Sequence, residues 1–70
     1  MKKYWLLNVC GVGGYSLMVH SKAQTIDEAL CQAAEADLFN DEIDAENAYG
    51  EEADEHTIKH FKENNLIHEL

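Results

Sequence analysis

The chain lacks proline and has no apolar run long enough to cross a membrane. A spanning helix needs about 18 to 20 consecutive apolar residues. The 70 residues are nonetheless 46% apolar and include no low-complexity tract, which is typical of a folded chain rather than of a disordered acidic tail. We therefore expect one small acidic domain over residues 1–70, with no membrane as a partner.

Lysine and arginine are scarce, and neither occurs between Lys22 and Lys59, although that stretch holds twelve carboxylates. The formal net charge of the chain is −9. A field of this sign repels nucleic acid and anionic lipid and attracts basic surfaces. The charge argues against direct binding of DNA, RNA or lipid and allows a basic protein surface as the partner.

The chain also lacks the local motifs of catalysis and of cofactor binding. No serine, cysteine or histidine stands in a nucleophile signature, so we expect a protein that is not an enzyme and has no cofactor. The segment CGVGG is not GxGxxG, because Ser16 occupies the last glycine position and a strand follows. A calcium loop starting at Asp44 fails because Tyr49 stands where a glycine must make the sharp turn.

The metal candidates are His56 and His60, which are four residues apart on a predicted helix and can project from one face. The segment HTIKH is not HExxH, because Thr57 replaces the glutamate. We therefore favour exposed histidines beside an acidic surface and predict no metal site. Cys10 and Cys31 form no CxxC, and we expect both to be reduced and buried.

Two segments, residues 4–9 and 15–21, are rich in aromatic and branched residues with a period of two, which predicts two strands. The glycines of CGVGG between them can take positive backbone angles, so the pair is predicted to form a hairpin. A helix is predicted over residues 26–38, because Thr25 and Glu28 form a capping box and the apolar residues that follow share one stripe.

The second half of the chain predicts a loop at residues 40–44 and a short strand at residues 45–51. A last helix is predicted over residues 55–63, with Asp54 as its N-cap. Residues 66–70 either pack against the core or fray.

Together these elements predict an α+β fold in the order ββαβα: a β-hairpin, a helix, a short third strand and a C-terminal helix. With a right-handed connection, the first strand lies between the other two in a three-stranded sheet with helices on one face. Trp5 is expected in the core. In the third strand either Ala48 or Tyr49 faces inward, and Tyr49 is the better surface candidate.

Apolar residues also lie on the second face of the hairpin. A strand that is apolar on both sides is usually central, or has its second face covered by a partner. Homodimerisation through this face is therefore one hypothesis. Its candidate residues are Tyr4, Leu6, Met18 and His20.

The hairpin YWLLNVCGVGGYSLMV, the capped helix TIDEAL and the acidic segment EEADEHTIKHFKEN together cover most of the chain. With these features the chain resembles the small acidic proteins of phages and mobile elements, including anti-CRISPR and anti-restriction inhibitors, many of which act as DNA mimics. The resemblance implies a cytoplasmic inhibitor, in the host cell if phage-encoded, that occupies the basic groove of a nucleic-acid-binding protein. The implied partner-binding residues are Asp41, Glu42, Asp44, Glu46, Tyr49, Glu51, Glu52, Asp54 and Glu55.

The alternative is a homodimeric accessory domain that binds through the second sheet face, with acidity serving solubility only. Partner binding by apolar burial depends weakly on salt, whereas binding by charge depends on it steeply. Salt dependence therefore separates the two hypotheses.

Overall fold

The computed structural model describes residues 1–10 and 13–70 and has an α+β architecture. Four strands form one sheet in the order β3-β1-β2-β4, in which β1 is antiparallel to β2 and β3, and β4 is parallel to β2. The predicted central place of β1 is confirmed. The elements are β1 Lys3–Val9, β2 Tyr15–Ser21, α1 Ile26–Glu35, α2 Glu42–Asn47, β3 Ala48–Glu52, α3 Glu55–Glu63 and β4 Ile67–Glu69.

The fourth strand corrects the prediction of a three-stranded sheet. Ile67–Glu69 pairs with residues 18–20 of β2, and the Leu70 amide donates to the His20 carbonyl at 3.0 Å. The C-terminal segment therefore neither frays nor merely packs. The predicted hairpin pairs in register from Lys3 with Ser21 to Val9 with Tyr15, while residues 11 and 12 of its loop lie outside the described residues.

One face of the sheet packs against α1. Leu7 and Val19 are fully buried there against Ala29 and Ala33 of the helix, whose small side chains allow close approach. Trp5 is in this core as predicted, 5% exposed, and its indole N–H donates to the Ala23 carbonyl at 3.3 Å.

The N-terminal cap of α1 forms as predicted, because the Thr25 hydroxyl accepts from the Glu28 amide at 3.2 Å. The helix ends at Glu35 rather than at residue 38, since Asp37 takes a positive φ of 59° and the Leu38 amide returns to the Ala33 carbonyl.

The second face of the sheet lies beneath α3, which corrects the prediction of helices on one face only. Side chains alternate along β1, so Tyr4 points away from the face of Trp5. Lys62 of α3 places its ammonium 5.3 Å from the Tyr4 ring centroid, and Met18 on this same face has no exposed surface. The sheet is therefore a middle layer. Among the described residues, no helix is both long and apolar enough to cross a membrane.

Candidate acidic interaction surface

The acidic segment at residues 41–55 begins with a short helix where a loop was predicted. Asp41 is the N-cap of α2, and its side chain accepts from the Asp44 amide at 2.8 Å. A carboxylate at this position satisfies an amide that has no partner within the helix. Residues 42–47 therefore form a short helix. The predicted loop at residues 40–44 was wrong from residue 42 on, and the strand predicted over residues 45–51 runs from Ala48 to Glu52 instead.

After α2, the chain enters β3, which lies at one edge of the sheet. Ala48 packs against the core, whereas Tyr49 is 53% exposed, so the Ala48-inward register is the observed one. Gly50 passes so close to β1 that an added Cβ would clash with the Leu6 carbonyl oxygen and lie 3.1 Å from Ile26 Cδ1. Glu51 and Glu52 follow, both exposed.

Asp54 is the N-cap of α3, as predicted, and accepts from the Thr57 amide at 2.8 Å. This hydrogen bond is the main reason that the pKa of Asp54 lies below its ordinary value. We call the side of the molecule formed by α2, β3 and the first residue of α3 the acidic edge.

Half of the eight carboxylates of this segment have partners inside the fold. Asp41 and Asp54 cap helices. Asp44 accepts from the Tyr15 hydroxyl at 2.7 Å, and Glu52 lies 3.6 Å from the Lys3 ammonium. Mutating any of these four residues would change the stability of the fold as well as the charge of the acidic edge.

The other half have no such partner. Within the described residues, their side chains make no hydrogen bond and no ion pair, and all are exposed. The acidic edge therefore carries four unpaired negative charges, two on α2, one on β3 and one at the start of α3. They are Glu42, Glu46, Glu51 and Glu55.

A groove between α1 and α2 adds carboxylates that were not predicted from the sequence as part of the site. Its volume is about 350 Å³, and the rim includes Glu35 and Asp37 next to Asp41 and Glu42. No local pattern relates residues 35 and 37 to α2. Their approach follows from the turn after α1.

Tyr15 joins the N-terminal turn of α2 to strand β2 of the hairpin. Its hydroxyl donates to Asp44 and accepts from the Asn40 amide at 2.9 Å. Desolvation raises the pKa of Tyr15, and the neighbouring Asp44 raises it further. The phenol therefore stays protonated and keeps donating.

The two histidines considered for metal are both exposed on α3, beside Lys59 and Glu63 in a shallow groove of about 210 Å³. Residues 1–10 and 13–70 contain no group of three or more His, Cys, Asp or Glu side chains placed to hold a metal ion. His56 and His60 thus lack a third ligand within that part of the chain.

The residues proposed for a dimer face lie on the side of the sheet that α3 crosses. Tyr4 and His20 stack with ring centroids 4.0 Å apart, and both are half-buried, as is Leu6. Met18 is fully buried within the single chain and offers no surface to a second copy. His20 donates to Glu69 at 2.8 Å, and this hydrogen bond lowers the pKa of Glu69.

Both cysteines are exposed, which corrects the expectation that they are buried. Both thiols are free in the structure. The Cys10 sulfur lies 3.5 Å from the Tyr49 hydroxyl, and this contact raises the pKa of Tyr49.

No protein-family model, curated protein or solved structure matches this chain. The fold and the distribution of charge over it therefore carry the functional argument.

Proposed function

We propose that the protein is a non-enzymatic binding module whose acidic edge occupies the basic, nucleic-acid-binding groove of another protein, in the manner of a phage-type DNA mimic. The observation that carries the proposal is the run of unpaired carboxylates along the acidic edge. These groups contribute no hydrogen bond or ion pair to the described fold, so folding alone gives no reason for their placement.

The arrangement of the charges supports this function. Successive side chains of an extended strand alternate between the two faces of the sheet, so Glu51 and Glu52 place a carboxylate on each side of the edge strand β3. Glu46 lies on α2 just before this strand, and Glu55 begins α3 just after it. A field of this sign attracts the basic groove of a nucleic-acid-binding protein. A rigid fold presents these charges without the entropic cost of ordering a flexible tail.

The single-chain structure also weakens the alternative of a dimer through the second sheet face. Met18 is already covered within the single chain, and Tyr4 is engaged by His20 and Lys62. A second copy would have to displace α3 or use the rim of this face.

The test is affinity capture from native host extract with three forms of the full chain. The edge variant carries E46Q, E51Q and E55Q, and the matched control carries D27N, E28Q and E63Q, which lie outside both the acidic edge and the groove between α1 and α2. Each set neutralises three exposed carboxylates and changes the formal charge from −9 to −6. Of the six side chains, only that of Glu28 has a hydrogen bond to the described residues: it accepts from the Thr25 hydroxyl at 3.5 Å, and glutamine keeps an oxygen that can accept there.

We expect wild type and control to retain one nucleic-acid-binding protein, released by added DNA or RNA, and the edge variant to lose it. Equal retention by all three forms would contradict the proposal. So would a captured protein that nucleic acid fails to displace.

A further inference from the structure

The edge strand β3 has an open side. It pairs with β1 on one side, and among residues 1–10 and 13–70 no strand lies on the other. Beyond that ladder, no backbone hydrogen bond joins residues 48–52 to the rest of the described chain. Its side chains at residues 49 and 51 on one face and at residue 52 on the other are exposed.

The register identifies the backbone groups on this open side. The Ala53 amide donates to the Tyr4 carbonyl at 2.9 Å. Alternate residues of an antiparallel strand bond to the same neighbour, so Glu51 and Tyr49 direct their N–H and C=O groups towards β1. Gly50 and Glu52 direct theirs away from it. Two donors and two acceptors are thus available to a further strand.

The flanking side chains decide which kind of strand fits. Glu51 and Glu52 point to opposite faces of the sheet, because successive side chains alternate. A second copy of β3 would place these carboxylates against its own, and like charges on neighbouring strands are destabilising. An incoming strand with basic side chains on both of its faces would instead have a carboxylate beside it on each face of the sheet.

We propose that the open side of β3 receives an extended lysine- or arginine-bearing segment of the partner as a fifth strand. The backbone groups of Gly50 and Glu52 supply the hydrogen bonds, and Glu51 and Glu52 select basic side chains. This inference rests on the proposed function, since it takes the partner to be basic, and it specifies how one part of that partner is bound.

The probe is the peptide acetyl-Lys-Val-Lys-Lys-Val-Lys-Val-amide, which carries lysines on both faces when extended. The matched control peptide has the same residues with every valine in the D form, which keeps the charge but prevents a regular strand. Amide-proton exchange of the full 70-residue chain is followed by NMR at low salt with each peptide. In parallel, the affinity of the L peptide is measured for the E52P and E52Q variants.

We expect the L peptide to slow exchange of the Gly50 and Glu52 amides, while the Tyr49 and Glu51 amides are already protected by β1. The D-valine peptide should leave Gly50 and Glu52 unprotected. E52P removes an outward N–H and obstructs the incoming strand, so it should bind the L peptide about tenfold more weakly than E52Q, which lacks the same charge.

Absence of protection at Gly50 and Glu52, or equal affinity of E52P and E52Q, would overturn the fifth-strand proposal. Such a result leaves the proposed function standing if the edge variant with E46Q, E51Q and E55Q still loses the captured partner. Protection at Gly50 and Glu52 together with full retention of the partner by that variant would instead contradict the proposed function.

Discussion

At the scale of single residues, the carboxylates of one acidic segment have different structural roles. Asp54 caps the N-terminus of a helix and Asp44 accepts a hydrogen bond from a tyrosine, whereas Glu46 and Glu51 face only solvent in the described structure. Composition cannot separate these roles, because the separation depends on which backbone amides and side chains the fold brings near each carboxylate.

Gly50 gives the first residue-scale prediction. A G50A substitution places a methyl group against the Leu6 carbonyl, which is backbone and can move only if the strand shifts. We expect a loss of about 1 to 3 kcal/mol in the free energy of unfolding, as for other overpacked sites. Denaturant titration measures it, with E51A on the same strand as control. Equal stability of G50A and wild type would show that β3 does not approach β1 this closely.

Asp54 gives a prediction about pH. Its pKa is lowered in the folded chain, so its contribution to stability is present above the unfolded pKa, about 3.9, and is lost as pH falls through the folded pKa. D54N keeps a capping side chain without the titration, whereas D54A removes the cap. We expect D54A to have the lower melting temperature at pH 7 and D54N to lose less stability than wild type on acidification below pH 4. Identical acid profiles of D54N and wild type would contradict this assignment.

At the scale of elements, the helices and strands that were predicted correctly are those whose sequence signal is local. The alternation of the hairpin, the Thr25 cap and the Asp54 cap are each complete within a few residues, and β2 and α3 have the predicted bounds. α2 was missed because its cap, Asp41 bonded to the Asp44 amide, lies in a segment whose density of charge favours a loop.

Strand β4 was missed for a different reason. Its three residues carry no alternation of their own, and they become a strand by pairing in parallel with β2, some 49 residues away in sequence between His20 and Glu69. The candidate site was likewise predicted only where the signal is local. Its carboxylates could be named from the sequence, but their partners Tyr15 and Lys3 come from distant positions.

The direction of backbone groups in β3 can be tested by proline scanning. E51P removes an amide that bonds to β1 and leaves the opposing carbonyl without its partner, so we expect a loss of about 1 to 3 kcal/mol in the free energy of unfolding. E52P removes an outward amide and should be clearly less damaging. Denaturant titration of both variants checks the order. The reverse order would place Glu51, not Glu52, on the open side.

Glu69 tests the attachment of β4. Its pKa is lowered mainly by the hydrogen bond from His20, so this contribution to stability is present above the unfolded pKa, about 4.3, and declines as pH falls through the folded pKa. We expect E69Q to speed amide exchange at Leu70 at pH 6 relative to wild type, whereas E63Q on α3 should not. Unchanged exchange in E69Q would show that the ladder alone holds the strand.

At the scale of the whole molecule, charge is unevenly divided over the sheet. β3 and its neighbouring α2 carry unpaired carboxylates, whereas Lys62 lies over the second face and Lys2 is 3.5 Å from Glu69. A polarised surface of this kind steers association with a basic partner and makes the affinity depend on ionic strength.

The most direct test of this account is the dissociation constant of the captured partner, measured from low to high salt for wild type, the edge variant and the matched control. We predict a steep weakening with salt for wild type and the control, and a distinctly shallower dependence with weaker binding for the edge variant. The same salt dependence and affinity for all three forms would contradict the claim that the acidic edge is the binding surface.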